Sequence, residues 1–459
     1  MIRCLPGLCL VFCMAAYPAP EPDFHIPFEK YKLTNGLRVV LSRDTSVPVA
    51  AVYLLYDVGA RTEEKGAAGF AHLCERLMFD GSANVKKGEY ARYVQSNGGE
   101  VNASTHLDYT DYYEVLPSNK LALALWLESD RMRGLAVTEE SLKNQKEAIR
   151  NERQRNYENQ AYRAALADKW PSLIFGNPHN ERSVMGSPDD LSAATVEDVT
   201  KFFRTSYAPN NAVLVISGDF AVADTKKLIE QYFGDIPAQP QPPRPALNEP
   251  ARNEGRTLDV KDEHARLPAV VVGWPAPRRH SPDWYALDML DAVLTAGRGS
   301  KLQAELMQGR QSVLQIDENL GWPSASPADF KDPGYYAAIL IHKTNFKAAE
   351  IVDQYQQVID GIAATGIDGT ELRRVKVVLR LGKATGLQTA LERARLLGTL
   401  ELMDGDPGLA DRDYAAFQAV TAEQVQAAVR KYLTAARRDV MTITPAPASP
   451  APVAHGAVQ

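Results

Sequence analysis

Three residues, His72, Glu75 and Arg76, stand in the order H-x-x-E-R, a spacing that could support metal-dependent chemistry. Two imidazoles four residues apart share one face of a helix and can bind the same zinc ion. A carboxylate at the fourth position of such a motif can act as general base for a water held by that zinc. This sequence supplies the first histidine and the glutamate, but an arginine takes the place of the second histidine. What the site can do therefore depends on Arg76.

A helix predicted over residues 67–79 carries these three residues on one side. They fall within an arc of ~100° on a helical wheel, whereas Leu73, Cys74 and Leu77 fall on the opposite side. The pattern is typical of an amphipathic helix with a cluster of charges on its polar face. By spacing alone, the same residues are also compatible with an ordinary solvated face that carries charges at i and i+4.

A second carboxylate belongs to another predicted helix, which the capping sequence Thr138-x-x-Ser141 opens and which runs to about Asn159. Leu142, Gln145, Ile149 and Glu152 form one stripe along this helix. The two apolar members indicate that the stripe faces the core, so Gln145 and Glu152 should point inward. A buried carboxylate needs a metal ion or a cationic partner. The simpler alternative is that Glu152 pairs with a neighbouring arginine at the end of the helix.

The chain is organised as one α+β unit of about 210 residues used twice. A capping sequence recurs at an offset of 226 (421 − 195), at Thr195–Asp198 and Thr421–Gln424, and the strand predicted at 440–444 corresponds to the one at 211–217. We expect two homologous α/β-sandwich halves, each an antiparallel-rich sheet with helices, at 28–236 and 256–446. A semi-rigid linker at 237–255, rich in proline, joins them.

The two halves show corresponding patterns of strands and helices. The first half is predicted to form strands at 31–41, 49–58 and 211–217, a hairpin at 100–116, and further helices at 87–97, 119–133, 195–206 and 224–233. The second is predicted to form strands at 256–261, 268–274, 335–342 and 440–444, and helices at 282–295, 300–308 and 346–365, one long helix at 369–403, and another that starts at Thr421.

Composition is typical of a soluble globular protein, and the N-terminal segment predicts that it is exported. The 459 residues carry a net charge of −6 and are 45% hydrophobic, which argues against nucleic-acid binding. Residues 1–20 have the short basic start, apolar run and small residues of a signal peptide, so we expect a periplasmic or secreted protein. Three of the four cysteines lie there, which leaves Cys74 and no disulfide framework. After the signal-like segment the sequence contains no run of 18 apolar residues, so no membrane span is predicted. The tail at 447–459 is expected to be disordered.

Four stretches of the first half resemble the pitrilysin/insulinase family of inverted-zincin metallopeptidases. They are Gly69–Ser82, around the H-x-x-E pattern; Gly98–Thr105, which contains Asn102-Ala103-Ser104-Thr105; Asn151–Asn159; and Tyr207–Leu214. The resemblance extends from about Phe28 to Thr444 and agrees with the repeated layout. It implies a clam-like arrangement of two halves.

The resemblance also implies roles for particular residues. The family's first zinc-ligand histidine matches His72, and its distant glutamate ligand matches Glu152, 80 residues on (152 − 72). The general base matches Glu75. The strand Asn102–Thr105, with Asn102, Ala103, Ser104 and Thr105, resembles the edge strand that binds a peptide substrate as an added strand.

Arg76 departs from this family pattern. A guanidinium stays protonated and has no lone pair to offer, so Arg76 cannot be a zinc ligand. Zinc would keep His72 and Glu152, fewer than the three protein ligands of catalytic sites. The cation can instead bridge Glu75 and Glu152 and replace the metal's charge. Cys74 is on the wrong helix face to substitute as a ligand, which leaves His106 as the alternative.

A second departure concerns the C-terminal half. Family members that assist catalysis from this half carry an arginine and a tyrosine seven residues apart. An ungapped alignment places Met307 and Leu314 at those positions. The half also lacks any H-x-x-E sequence, so we interpret it as structural, closing a chamber or contacting another subunit.

These features favour a non-catalytic family member that binds peptide or unfolded polypeptide, or acts as the partner subunit of an active homologue in a hetero- or homodimer. The alternative is an active zinc metalloendopeptidase with His72 and Glu152 as ligands and Glu75 as general base. A third hypothesis makes Arg76 a variant or sequencing artefact in an active enzyme. The simplest alternative is a binding or assembly protein with no link to proteolysis.

Overall fold

The computed structural model describes residues 25–321 and 330–446. The expected signal peptide and the expected disordered tail lie outside these ranges. One mixed α/β half precedes the proline-rich segment and another follows it, each built on its own sheet. The two-half layout agrees with the fold class predicted from the sequence, whereas the exact domain limits remain a prediction.

The first sheet has six strands in the order β1-β2-β6-β3-β5-β4. Their bounds are β1 Glu29–Lys32, β2 Arg38–Arg43, β3 Val49–Tyr56, β4 Glu100–Thr105, β5 Thr110–Pro117 and β6 Ala212–Gly218. All pairings are antiparallel except that of β2 with β6. The first five residues of the central strand β6, 212–216, are all apolar, as expected for a strand with both faces buried. β4 lies at one edge of the sheet, next to the motif helix.

Eight α-helices belong to the described part of the first half. They are α1 Phe70–Leu77, α2 Glu89–Ser96, α3 Leu121–Arg133, α4 Glu139–Arg153, α5 Trp170–Ile174, α6 Pro188–Ala193, α7 Val196–Ser206 and α8 Val222–Phe233. Thr138 caps α4 and Thr195 caps α7 through their side-chain oxygens. A π-helical turn at Gln154–Glu158 continues α4.

The second sheet has five strands in the order β7-β11-β8-β10-β9. They are β7 Thr257–Asp262, β8 Ala269–Pro275, β9 Val313–Leu320, β10 Tyr335–His342 and β11 Asp439–Pro445. The helices are α9 Pro282–Thr295, α10 Ala348–Thr365, α11 Gly369–Gly386, α12 Ala390–Asp404, α13 Leu409–Ala419 and α14 Ala422–Tyr432. The predictions for α9 and β10 agree residue for residue, whereas β9 and α13 were not predicted.

The long helix predicted at 369–403 is wrong, because the chain forms two helices there. α11 ends at Gly386, and Thr389 begins α12 by accepting a hydrogen bond from the backbone N–H of Glu392. The break turns α12 away from the second sheet. α12 packs instead on the far face of the first sheet, against β3 and β6.

The two halves therefore exchange helices. Gly398 of α12 lies so close to β3 and β6 that a Cβ there would stand 2.7 Å from Leu55 and 2.9 Å from Val215. In return, α5 of the first half places the fully buried Trp170 on the second sheet, against Tyr335 of β10. Each half completes the core of the other. Over the described ranges, no helix has the length and apolar character needed to cross a membrane.

Candidate functional site

The start of α1 is held by a buried carboxylate. Gly69 precedes the helix with φ +100°, a backbone conformation that suits glycine. The backbone N–H groups of Gly69 and Ala71 each donate to the Glu63 carboxylate at 2.8 Å. Glu63 is 1% exposed. Burial raises the pKa of its carboxyl to about 8, and the two N–H donors act in the opposite direction. These bonds fix the direction in which α1 presents its polar face.

The two faces of α1 divide as the helical wheel predicts. Leu73, Cys74 and Leu77 are buried in the core of the first half. Burial also raises the pKa of the Cys74 thiol, and the thiol lies away from the polar face. His72 is buried at the edge of the polar face, whereas the Arg76 side chain keeps 34% of its surface exposed. The polar face is thus partly enclosed and is not an ordinary solvated helix surface.

Arg76 connects α1 to α4. Its Nη1 donates to Glu152 Oε2 at 2.8 Å, and its Nε donates to Gln145 Oε1 at 3.1 Å. Gln145 and Glu152 therefore point toward α1, as their inward stripe indicated. Gln145 Nε2 in turn donates to Asp80 Oδ2 at 2.8 Å, and the other Asp80 oxygen lies 3.3 Å from Lys87 Nζ. The guanidinium belongs to a continuous network of alternating donors and acceptors.

The expected bridge from Arg76 to both glutamates is half wrong. Arg76 binds Glu152, but its second acceptor is Gln145 instead of Glu75. Consecutive residues of a helix point ~100° apart, and the carboxylate of Glu75 turns toward β4. Sequence reasoning placed Gln145 on the correct side but did not identify it as a partner.

The Glu75 carboxylate accepts a hydrogen bond from Thr105 Oγ1 at 2.6 Å. The pKa of Glu75 is raised to about 7, mainly by burial. The charges of Asp111 and Glu152 add to the rise, and Thr105 and Arg76 oppose it. Of the four predicted substrate-binding residues, Thr105 thus reaches the motif directly, and Ala103 packs into the core on the same side. Strand alternation places Asn102 and Ser104 on the opposite face of the sheet.

The His72 imidazole is buried beside these charges. Its Nε2 lies 3.9 Å from Glu152 Oε2, and its buried Nδ1 has no hydrogen-bond partner among the described residues. Burial lowers the pKa of His72 and Arg76 lowers it further, while Glu152 acts in the opposite direction. His72 and Glu152 therefore face one another, and both lie beside Arg76.

The residues present do not fit a catalytic zinc ion. Within residues 25–321 and 330–446, no group of three or more histidine, cysteine, aspartate or glutamate side chains could hold a metal. Glu152 Oε2 is bonded to a guanidinium, and a fixed cation beside a dication is unfavourable. His106 does not complete a set, because its Nε2 lies 2.9 Å from Asp111 Oδ1 and its ring stacks on Tyr109.

The C-terminal half adds no polar group at the two positions taken from the alignment. Met307 lies in a π-helical turn at Gln303–Gly309 and is partly buried. Leu314 lies on the edge strand β9 with 44% of its surface exposed. Neither side chain can donate a hydrogen bond to a substrate.

Comparison with known proteins assigns the family. Residues 38–187 match the model of the insulinase family, peptidase family M16, and residues 193–379 match that of the peptidase M16 inactive domain. Together these matches span most of the chain. The chain belongs to the insulinase family of peptidases.

Relatives and solved structures agree with this assignment. The chain is 26% identical to the zinc protease PqqE of Helicobacter pylori, over 89% of this chain and 91% of that protein. It is similar to the crystal structure of a protease from Helicobacter pylori, with a TM-score of 0.86, 24% identity, and coverage of 92% and 100% of the two chains. It also resembles the periplasmic protease PqqL of Escherichia coli, with a TM-score of 0.74 and 16% identity, over 92% of this chain and 48% of that one.

Proposed function

We propose that this protein is a peptide-binding member of the insulinase family that does not catalyse zinc-dependent hydrolysis. The observation that carries the proposal is the hydrogen bond from Arg76 Nη1 to Glu152 Oε2. A cation binds the Glu152 oxygen that also lies 3.9 Å from His72 Nε2. The pair satisfies the Glu152 carboxylate without a metal ion and joins α1 to α4.

The surroundings of Arg76 support a native role for the arginine. Gln145 offers its carbonyl oxygen to the guanidinium and directs its amide group to Asp80. Both ends of the Gln145 side chain are thereby used, and no buried donor is left facing the cation. This arrangement favours Arg76 as a working part of the fold over a sequencing artefact.

The edge strand β4 supports peptide binding. β4 ends the first sheet, and no described strand pairs with its outer side. An extended peptide can add to such an edge through main-chain hydrogen bonds. The Thr105 side chain, at the end of β4, contacts Glu75. A peptide on β4 would thus run past the polar face of α1.

Metal content and peptide cleavage, measured together, test the proposal. The natural chain should purify with far less than one zinc per chain after incubation with zinc, and it should bind an unfolded polypeptide without cleaving it. Arg76→His should gain close to one zinc, because His72, the new imidazole and Glu152 supply three ligands. Arg76→Gln is the matched control, since it removes the charge without adding a ligand. Stoichiometric zinc and cleavage by the natural chain would reject the proposal.

A second candidate is an active metallopeptidase with rearranged ligands, and the environment of Glu75 favours it. A pKa near 7 suits a general base at neutral pH. This candidate predicts cleavage by the natural chain that Glu75→Gln abolishes. Cleavage that persists in Glu75→Gln would point to a contaminating protease.

We further propose that the protein is exported and pairs with another family member. The signal-like residues 1–20 support export, and the similar PqqL protein is described as periplasmic. Cell fractionation with N-terminal sequencing tests export, since a mature chain that begins before residue 15 would contradict removal of residues 1–20 as a signal peptide. Co-purification from the native host tests pairing, and a monomeric chain with no family member bound would contradict it.

A further inference from the structure

The side chains on the two faces of β4 contact different parts of the protein. Thr105 contacts Glu75, and Ala103 packs into the core that includes α1. Ser104, between them, points to the other face of the sheet. There it lines a cavity of about 460 Å³ between the β4–β5 turn and the junction of α11 with α12.

Apolar side chains form part of the lining of this cavity. Leu387 and Leu396, both partly buried, contribute side chains from the α11–α12 junction and from α12. Tyr53 and Leu400 add almost fully buried surface behind them. The volume exceeds that of one large side chain, and the apolar surface would gain from being covered.

The charged groups around the cavity already have partners. His106 Nε2 lies 2.9 Å from Asp111 Oδ1, and Arg395 Nη1 donates to Glu392 Oε1 at 2.9 Å. Burial lowers the pKa of Lys383, and the charges of nearby aspartates oppose that shift. A charged guest would be desolvated there and would have to displace one member of an existing pair. An uncharged guest avoids both costs.

We propose that this cavity holds a large uncharged side chain, aromatic or branched aliphatic, of an extended peptide bound along β4. The inference rests on the proposed peptide binding and adds a side-chain preference to it. In a strand added to β4, alternate side chains point to opposite faces of the sheet. One set faces Glu75 and Arg76, and the set between them faces the side on which Ser104 opens into the cavity.

The test uses fluorescent decapeptides of alanine, serine and threonine with one variable central residue. Fluorescence anisotropy gives the Kd of the full-length mature chain for peptides with Phe, Ala, Glu or Lys at that position. The Phe peptide should bind about tenfold more tightly than the Ala peptide, since most of its ring becomes buried. Glu and Lys should give no gain over Ala.

Two glycines of α11 provide matched variants. Gly386 lines the cavity, and no heavy atom outside its own helix backbone lies within 4 Å of a Cβ built there. Gly382, one turn earlier, is equally open but does not line the cavity. Gly386→Phe should fill the cavity and reduce the Phe-to-Ala preference from about tenfold to near onefold. Gly382→Phe should keep the natural preference.

Each remaining outcome decides against the inference. A Phe preference that survives in Gly386→Phe places the ring elsewhere and overturns it. Equal affinity of the natural chain for the Phe and Ala peptides also overturns it, while the proposed peptide binding stands. Failure of every peptide to bind removes the proposed function and this inference together.

Discussion

Arg76 Nη1 lies 2.8 Å from Glu152 Oε2, and this hydrogen bond joins the motif helix α1 to α4. The same oxygen lies 3.9 Å from His72 Nε2. Two groups that match zinc ligands in the family are therefore brought together around a guanidinium. The fold brings α1 and α4 together at these residues, and the positive charge between them is that of Arg76.

The Arg76–Glu152 pair should contribute measurably to stability. Because both side chains are only partly exposed, a double-mutant cycle with Arg76→Gln and Glu152→Gln should give a coupling free energy of about 1 kcal/mol. Urea denaturation of the four proteins measures it. The Arg92–Glu89 pair on α2, with Arg92 largely exposed, is the control and should give about 0.3 kcal/mol. Equal coupling in the two pairs would contradict a structural role for Arg76.

The sequence predicted the orientation of α4 but not the whole network at Arg76. Helical periodicity is a local property, so Leu142 and Ile149 were enough to indicate which way Gln145 and Glu152 point. The choice between Gln145 and Glu75 as the second acceptor depends on Asp80, which lies after the end of α1 and binds the Gln145 amide. Such a tertiary contact leaves no periodic signal.

The fold shows the same division between local and distant information. Most strands and helices followed from apolar periodicity and capping residues. The exchange of helices could not be predicted in this way. The apolar face of α12 indicates that the helix is buried, but it does not indicate which of the two sheets it packs against. The break at 387–389 was missed as well, because the apolar pattern continues through it, although Gly386 ends α11 and Thr389-x-x-Glu392 is a capping sequence.

The raised pKa of Glu75 should make stability depend on pH. The carboxyl has a pKa of about 7 in the folded protein, against an ordinary value of 4.5. Between these values the native state keeps a proton that the unfolded chain has released, so the free energy of unfolding falls as pH rises. Glu75→Gln removes this loss. The free energy of unfolding of the variant, relative to that of the natural chain, should therefore rise by on the order of 2 kcal/mol between pH 4.5 and pH 8.

Urea denaturation at pH 4.5 and at pH 8 measures that difference. Glu147→Gln is the control, since Glu147 is exposed on α4, and its effect should be the same at both pH values. A Glu75→Gln effect that does not change with pH would show that the carboxyl titrates normally and is not buried in solution.

The carboxyl of Glu63, whose pKa burial raises to about 8, should be required at the start of α1. Both of its oxygens accept backbone N–H groups at the start of α1. Glu63→Gln leaves one acceptor and turns an amide donor toward the other N–H, so it should destabilise the protein by about 2–3 kcal/mol. Chemical denaturation measures the loss, and hydrogen exchange should increase first in α1.

The neighbouring Glu64→Gln provides the control for that change. Glu64 is exposed, and its substitution should alter the free energy of unfolding by less than about 0.5 kcal/mol. Similar stabilities of Glu63→Gln and Glu64→Gln would mean that the buried carboxylate does not hold the motif helix.

The packing of α12 on the first sheet makes Gly398 sensitive to a single methyl group. Alanine there would place its Cβ 2.7 Å from Leu55 Cδ1 and 2.9 Å from Val215 Cγ2. Overpacking costs about 1–3 kcal/mol, which should exceed the gain of about 1 kcal/mol in helix propensity. Gly398→Ala should therefore lower the free energy of unfolding in urea by about 1 kcal/mol.

Gly382→Ala on α11, where a Cβ meets open space, is the control and should raise the free energy of unfolding by about 0.5–1 kcal/mol because only the propensity gain remains. If both substitutions stabilise the protein equally, α12 does not pack against β3 and β6 in solution, and the exchange of helices between the halves is absent.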